Sequence, residues 1–412
     1  MDRFDSRRTF LNLMAAGAVA RSIAVAAEPD EDSYWRVVRS QFSFREERVP
    51  MNAANLCPTP APVAGRVEEL TRDVDVDCSF QNRDKFADLH EHARKTIAAQ
   101  IGASPDEIAL VRNTSEANNT ISNGIQLSEG DEIVLWDENH PTNNVAWDVR
   151  AKRFGYRVTR VKLADNPQSI DDLIGPFERA LSARTKVLAL THVSSSSGIR
   201  LPAKELAVIA HKRGIHVHLD GAQSWGALQI DVKDLDCDTY SSSAHKWYCG
   251  PREVGLLYVR ESLIAGIWPQ VVAPGWGNTA DTVLKGARKF ESMGQRDDAA
   301  LAGVGVAAEF HDTIGVARIE ERGTAVATEL KSLLREAGVK LTTPVSPTMS
   351  SAVVIMPVPA ANRGKLLDAM YAEYGIAGST SGGFRLSPHF YNTREHIQRA
   401  AEGLVKLRSL WA

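Results

Sequence analysis

"TKVLALTHVSSSSGIRLPAKELAVIAHKRGIHVHLDGAQSWGA", Thr185 to Ala227, sets two apolar strand-like runs around one helix-like run. "TKVLALTHVS" and "IHVHLD" are short and rich in apolar and β-branched residues, whereas "LPAKELAVIAHKRG" repeats its apolar positions at helical spacing. Strand, helix and strand in that order predict a parallel pair joined by a crossover, covered by helices on both faces. The second strand ends on a carboxylate, Asp220. Burying that charge costs several kcal/mol without a partner, and sites in such sheets lie beyond the carboxyl ends of the strands. The partner of Asp220 is therefore the question on which function turns.

The alternation extends outward from this unit. "EIALVRN", "DEIVLW", "YRVTRVKL", "DTYSSS" and "VGLLYVR" read as further strands, for about seven in all, and "RDKFADLHEHARKTIAAQIG" reads as a helix. Near the start, "DSYWRVVRSQFSF" is amphipathic, and the prolines of "LCPTPAPVAG" read as an extended connector. Past about Arg260 the pattern changes to long helices around "SAVVIMPV" and "GGFRLSP", a smaller α+β domain that closes on "TREHIQRAAEGLVKLRSLW". The expected organisation is an α/β chain: residues 28–50 a segment packing on the small domain, 51–298 a large domain on a mostly parallel seven-stranded sheet, 299–412 the small domain.

Composition narrows the partner. The 412 residues carry 48 Lys and Arg against 51 Asp and Glu, a net charge of −3 with mixed signs, which gives no nucleic-acid signal and leaves a small molecule. Cys57, Cys78, Cys237 and Cys249 show neither zinc-ribbon spacing nor the density of a disulfide scaffold. At the N-terminus, Arg7 and Arg8 precede a short apolar run ending in Ala24-Val25-Ala26. Residues 1–27 resemble a twin-arginine signal, too short to span a bilayer, which implies a periplasmic protein exported after folding, without stable membrane anchoring.

Polar residues follow the strands. In "VRNTSEANNT", Thr114 and Ser115 open a helix whose free N–H groups suit a phosphate. In "YSSSAHKWYCGP", Lys246 sits just beyond a strand beside Ser243 and His245; a partly desolvated lysine loses its proton more readily and attacks carbonyls. A carboxylate, a phosphate-binding helix start and a reactive lysine together suit an aldehyde-bearing pyridine phosphate, whose ring nitrogen the carboxylate would keep protonated.

"HLDGAQSWGA" followed by "SSSAHKW" resembles the class V aminotransferase family of fold type I pyridoxal 5'-phosphate (PLP) enzymes, which includes cysteine desulfurases and isopenicillin N epimerase-like proteins. The resemblance runs from about Asn52 to the last helix. It implies that Lys246 is the internal Schiff-base lysine, that Asp220 meets the pyridinium nitrogen, that Gln223 meets the ring hydroxyl, and that Thr114, Ser115, Ser243 and His245 hold the phosphate. It places His140, in "DENHPTNNVAW", against the cofactor ring, Arg385, in "GGFRLSPHFYNT", on the substrate carboxylate, and Asn52 and Asn55, in "MNAANLCP", on the substrate side. It also implies a homodimer.

Three departures stand out. "YGIAGSTSGGFRLS" has no cysteine where desulfurases carry their nucleophile, which argues against persulfide chemistry. Ser195 stands where many relatives have a cofactor-facing Asn, and Gln295 replaces a threonine that reaches the neighbouring subunit's phosphate. The expected reaction begins with removal of the α-proton of an amino acid or peptide-borne amino acid: transamination or side-chain modification first, β-elimination (C–S lyase) second, epimerisation third. Exported relatives that tailor pyoverdine siderophores suggest a peptide substrate. An outside alternative reads His216, His218 and Asp220, alternating along one strand and so on one face, as the metal ligands of a hydrolase. That reading leaves Lys246 unexplained.

Overall fold

The structure, a computed structural model, describes residues 31–273 and 284–412. The twin-arginine stretch lies outside the described residues. The strands are β1 (Val49–Pro50), β2 (Ile108–Val111), β3 (Glu132–Trp136), β4 (Arg157–Val161), β5 (Thr185–Thr191), β6 (His216–Asp220), β7 (Thr239–Ser243), β8 (Gly255–Val259), β9 (Val354–Met356), β10 (Ile376–Ala377) and β11 (Phe384–Leu386). The helices of nine or more residues are α1 (Glu31–Ser40), α2 (Ala61–Val76), α3 (Lys85–Gln100), α4 (Thr114–Gly124), α5 (Pro141–Phe154), α6 (Ile170–Ala180), α7 (Ala203–His211), α8 (Asp298–Ile314), α9 (Val316–Glu336), α10 (Arg363–Tyr374) and α11 (Arg394–Lys406).

Seven strands form one sheet in the order β2-β8-β7-β6-β5-β3-β4. Only β8 is antiparallel to its neighbours, so the other six end on the same edge. Successive residues along a strand point to opposite faces, and here both faces are dry. Val134 and Trp136 of β3 enter one apolar cluster while Ile133 and Leu135 enter another, and β5 divides likewise, Leu188 and Leu190 against Val187 and Ala189. That double burial is the physical reason these strands read as continuous apolar runs.

The expected proline connector is shorter than its sequence suggests. Pro60 is extended, but α2 begins at Ala61 with a proline in its first turn, where the missing N–H costs no hydrogen bond. The small-domain strands form separate pairs, β9 antiparallel to β11 and β1 parallel to β10, the second joining the segment ahead of residue 51 to the C-terminal part. Asn52 and Ser387 continue that contact as an isolated bridge, which brings residues 333 positions apart, Asn52 and Arg385, within hydrogen-bond distance.

Candidate active site

The carboxyl edge of the sheet gathers the chemistry. A cavity of about 130 Å³ is lined by Thr114 and Ser115 after β2, His140 after β3, Asp220 at the end of β6, and Ser243, His245 and Lys246 from β7 and its turn. All seven were candidates from sequence. Asn113, Thr142 and Ala222 complete the lining. Gly221 lets β6 end there, because a Cβ would lie 2.0 Å from the Tyr240 ring.

At one end, Asn113 caps α4 by accepting from the Glu116 N–H. The Thr114 N–H donates to Ser243 Oγ at 2.8 Å, and the two hydroxyls lie 2.6 Å apart. Helix N–H groups and two hydroxyls make a cradle for a phosphate. His245 beside them is held neutral: burial first, then Lys246 and Arg252, push its pKa down to about 4.

Asp220 is 1% exposed. Its Oδ1 accepts from the Ala222 N–H at 3.0 Å and its Oδ2 from Asn118 Nδ2 at 2.8 Å. Asn118, one turn after Thr114 on α4, was not a sequence candidate; its i+4 spacing from Thr114 was the available signal. Burial drives the Lys246 pKa down, Asp220 opposes it and Arg385 reinforces it, so the amine is readied as a nucleophile and base. His140 caps α5 and pairs through Nδ1 with the Thr142 hydroxyl at 2.8 Å. Its pKa is lowered by burial and then by Lys246.

Arg385 is 4% exposed, yet among the described residues no carboxylate pairs with it. Nη1 donates to the Ser195 carbonyl and Nη2 to Asn52 Oδ1, both at 3.0 Å, while Nε has no partner among the described residues. Burial lowers its pKa to about 10, which leaves a charged, oriented fork with an unmet need for an anion.

Other candidates are placed differently. Ser195 offers its backbone carbonyl to Arg385. Asn55 is exposed and only closes a turn, its N–H donating to the Asn52 carbonyl. The buried Gln223 amide accepts from Trp247 Nε1 at 2.7 Å and donates to the Ala54 carbonyl at 3.0 Å; it ties the Asn52 segment to the lysine turn, with one N–H left over. Gln295 is exposed and bonded to Arg83 and Asp298. Within one chain it does not line the cavity, so a phosphate contact from it requires a second copy.

The metal-hydrolase alternative fails on the histidines. His218 has Thr239 Oγ1 on one ring nitrogen and Asn118 Oδ1 on the other, both at 2.9 Å, and His216 Nε2 is 3.1 Å from the same Thr239 hydroxyl. Among the described residues the ligand-type atoms that do gather belong to Cys57, Cys249 and His389.

The family model for aminotransferase class-V matches residues 59–400. This chain belongs to that family. An isopenicillin N epimerase of Amycolatopsis lactamdurans is 30% identical over 396 residues, covering 90% of this chain and 98% of the relative. A probable cysteine desulfurase of Methanothermobacter thermautotrophicus is 28% identical with the same coverage. Among solved structures, the apo cysteine desulfurase of Thermococcus onnurineus NA1 superposes with a TM-score of 0.81 at 23% identity, covering 90% of this chain and 97% of that one. A C-DES variant with glycine covalently linked to its PLP cofactor gives a TM-score of 0.82 at 21% identity, covering 89% and 98%. The chain is a PLP-dependent enzyme of fold type I. The site fits that cofactor: a half-buried lysine whose amine has no hydrogen-bond partner among the described residues, a carboxylate with lone pairs to spare, and a helix-start cradle share one cavity.

Proposed function

We propose that this class V enzyme removes and returns the α-proton of an amino acid or peptide-borne amino acid, with epimerisation as the first outcome and β-elimination as the second. The observation that carries this reading is a pair of proton-carrying groups in one cavity. The sheet order sets the strand of Asp220 between β7, which leads to Lys246, and β3, which leads to His140. Two groups approaching from separate strands support delivery of a proton by a residue other than the one that removed it, as epimerisation requires. The similarity to isopenicillin N epimerase over nearly the whole chain supports the same order and moves transamination below both outcomes.

When bound, the cofactor supplies an electron sink for the charge left on the α-carbon. The chain supplies the rest. Asp220 accepts from the ring nitrogen, Thr114, Ser243 and His245 hold the phosphate, and Lys246 takes the proton from the α-carbon. Arg385 grips a substrate carboxylate with Asn52 and the Ser195 carbonyl setting its plane. The segment Ile376–Phe384 carries no cysteine, so no thiol is placed there to accept sulfur. Arg7 and Arg8 support a further proposal: export by the twin-arginine route, with a periplasmic peptide, such as a siderophore precursor, as substrate.

The test is turnover of the loaded enzyme in D₂O with a panel of free amino acids and a pyoverdine-type peptide. α-Deuterated product of both configurations is expected; a keto acid would indicate transamination, and release of a β-substituent elimination. Lys246→Ala is expected to abolish deuterium exchange. Full exchange in that variant, or no exchange with any substrate, would overturn the assignment.

A further inference from the structure

Behind Asp220 runs a chain of hydrogen bonds whose direction is fixed by chemistry. Asp220 Oδ2 is an acceptor, so Asn118 must present Nδ2 to it, and Asn118 Oδ1 therefore faces the other way as an acceptor. Two protons reach that oxygen, from the Ser241 hydroxyl and from His218 Nε2. His218 is then the Nε2–H tautomer, and its Nδ1 accepts from the Thr239 hydroxyl. The Thr239 oxygen in turn accepts from His216 Nε2. Every proton in the chain points towards Asp220. Asn118, His218, Thr239 and Ser241 have no exposed surface, and Asp220 is 1% exposed, so water does not compete.

We propose that Asn118 and His218 are positioning residues that hold Asp220 as an ionised acceptor and so keep the proton on the cofactor's ring nitrogen. The amide is suited to this because it neither gains nor loses a proton across the physiological range. It joins the carboxylate to the imidazoles mechanically and separates them from it as proton carriers. Burial, then the neighbouring His216, press His218 down to about 3, which keeps the second link neutral as well. On its open side Asp220 is faced by Lys246 from the turn after β7 and by His140 from the start of α5, with Arg385 of β11 acting on both. The far end of the chain is faced by Asp238, and beyond it by His211 and Arg260. The carboxylate thus meets titrating groups on the substrate side and a non-titrating amide behind.

The test uses the full chain loaded with ring-¹⁵N-labelled PLP and no substrate, so that its result is separate from the reaction assignment. The ¹⁵N position and the visible spectrum are followed from about pH 5 to 9, a window bracketing ordinary His titration. The unaltered protein is expected to keep a protonated ring nitrogen throughout. Asn118→Leu is expected to move the ¹⁵N signal towards the unprotonated position within that window. It should also weaken cofactor binding by about ten- to a hundredfold, the loss of one hydrogen bond to a charged group. His218→Leu should shift the titration in the same direction, and His218→Gln, which restores an N–H donor, should reverse most of that shift. Ser241→Ala, a milder change for the case in which Asn118→Leu does not fold, should give a smaller shift of the same sign. An unchanged ¹⁵N titration in Asn118→Leu or Ser241→Ala, or equal behaviour of His218→Leu and His218→Gln, would overturn the proposal.

Discussion

Two arginines are almost equally buried and have opposite surroundings. Arg94 on α3 is 2% exposed and Arg385 on β11 is 4% exposed. Arg94 donates to Glu91, to the Ile108 carbonyl and through both terminal nitrogens to Glu291. Burial alone would lower its pKa, but Glu291 and Glu91 outweigh that and raise it. Arg385 has only a carbonyl and an amide oxygen, and burial pulls its pKa down unopposed. A buried charge with its counter-ion supplied in the fold is structural. Arg385, beside the cavity side chains and without a counter-ion among the described residues, is free to take an anion, because desolvation costs more than neutral oxygens return.

The largest expected effect is on catalysis. Truncating one partner of a buried charge pair costs about 2–5 kcal/mol, so Arg385→Leu is expected to lower kcat/KM for a carboxylate-bearing substrate by about 30- to 5,000-fold. Steady-state kinetics would show it, and Arg385→Lys should recover little because an ammonium lacks the planar fork. Arg94→Leu should leave kinetic constants of the folded enzyme near those of the parent.

Stability should rank the pair in the opposite order. Arg94→Leu strands Glu291 and is expected to cost about 3–5 kcal/mol in urea unfolding. In the same assay Arg385→Leu should change stability by less than about 1 kcal/mol or raise it, since a charge without a counter-ion leaves the interior. Equal losses would break the distinction drawn between the two sites.

A smaller effect separates them in acid. Hydrogen bonding from Arg288, against the pull of burial and with help from Arg94, lowers the Glu91 pKa from 4.5 to about 2. A depressed carboxylate contributes stability that is present above its ordinary value and lost as the pH falls through 4.5 towards 2. Glu91 is partly exposed, so solvent screening keeps the contribution modest. Glu91→Gln is expected to flatten the acid limb of the stability curve over that window, whereas Arg385→Leu should leave the limb unchanged. Thermal unfolding at stepped pH would distinguish the two.

Much of the site was legible because strand ends and helix starts are local signals. Asp220, Lys246, Ser243, His245 and Thr114 each sit at such a boundary, and the parallel topology inferred from "TKVLALTHVS" to "LDGAQSWGA" sends those boundaries to one edge. Asn118 was missed because a polar residue inside an amphipathic helix reads as surface, and only the contact with Asp220, 102 positions away, shows its use. The Ser195 carbonyl contact with Arg385 was not legible because the sequence does not distinguish one backbone carbonyl from any other. The proline run was misread because Pro60 and the proline at the start of α2 look alike in sequence but stand on opposite sides of a helix boundary.

By itself the sequence determined the seven strands, the edge on which the chemistry collects and the cofactor, since periodicity, strand ends and the paired Asp220 and Lys246 motifs are encoded over a few residues each. Tertiary structure alone decided that Arg385 lacks a counter-ion among the described residues, that Gln223 ties Ala54 to Trp247, and that His218 serves Asn118 rather than a metal. Each of these depends on which groups meet after long loops close, and the cost of burying a charge or an N–H is fixed by those partners rather than by neighbours in the chain.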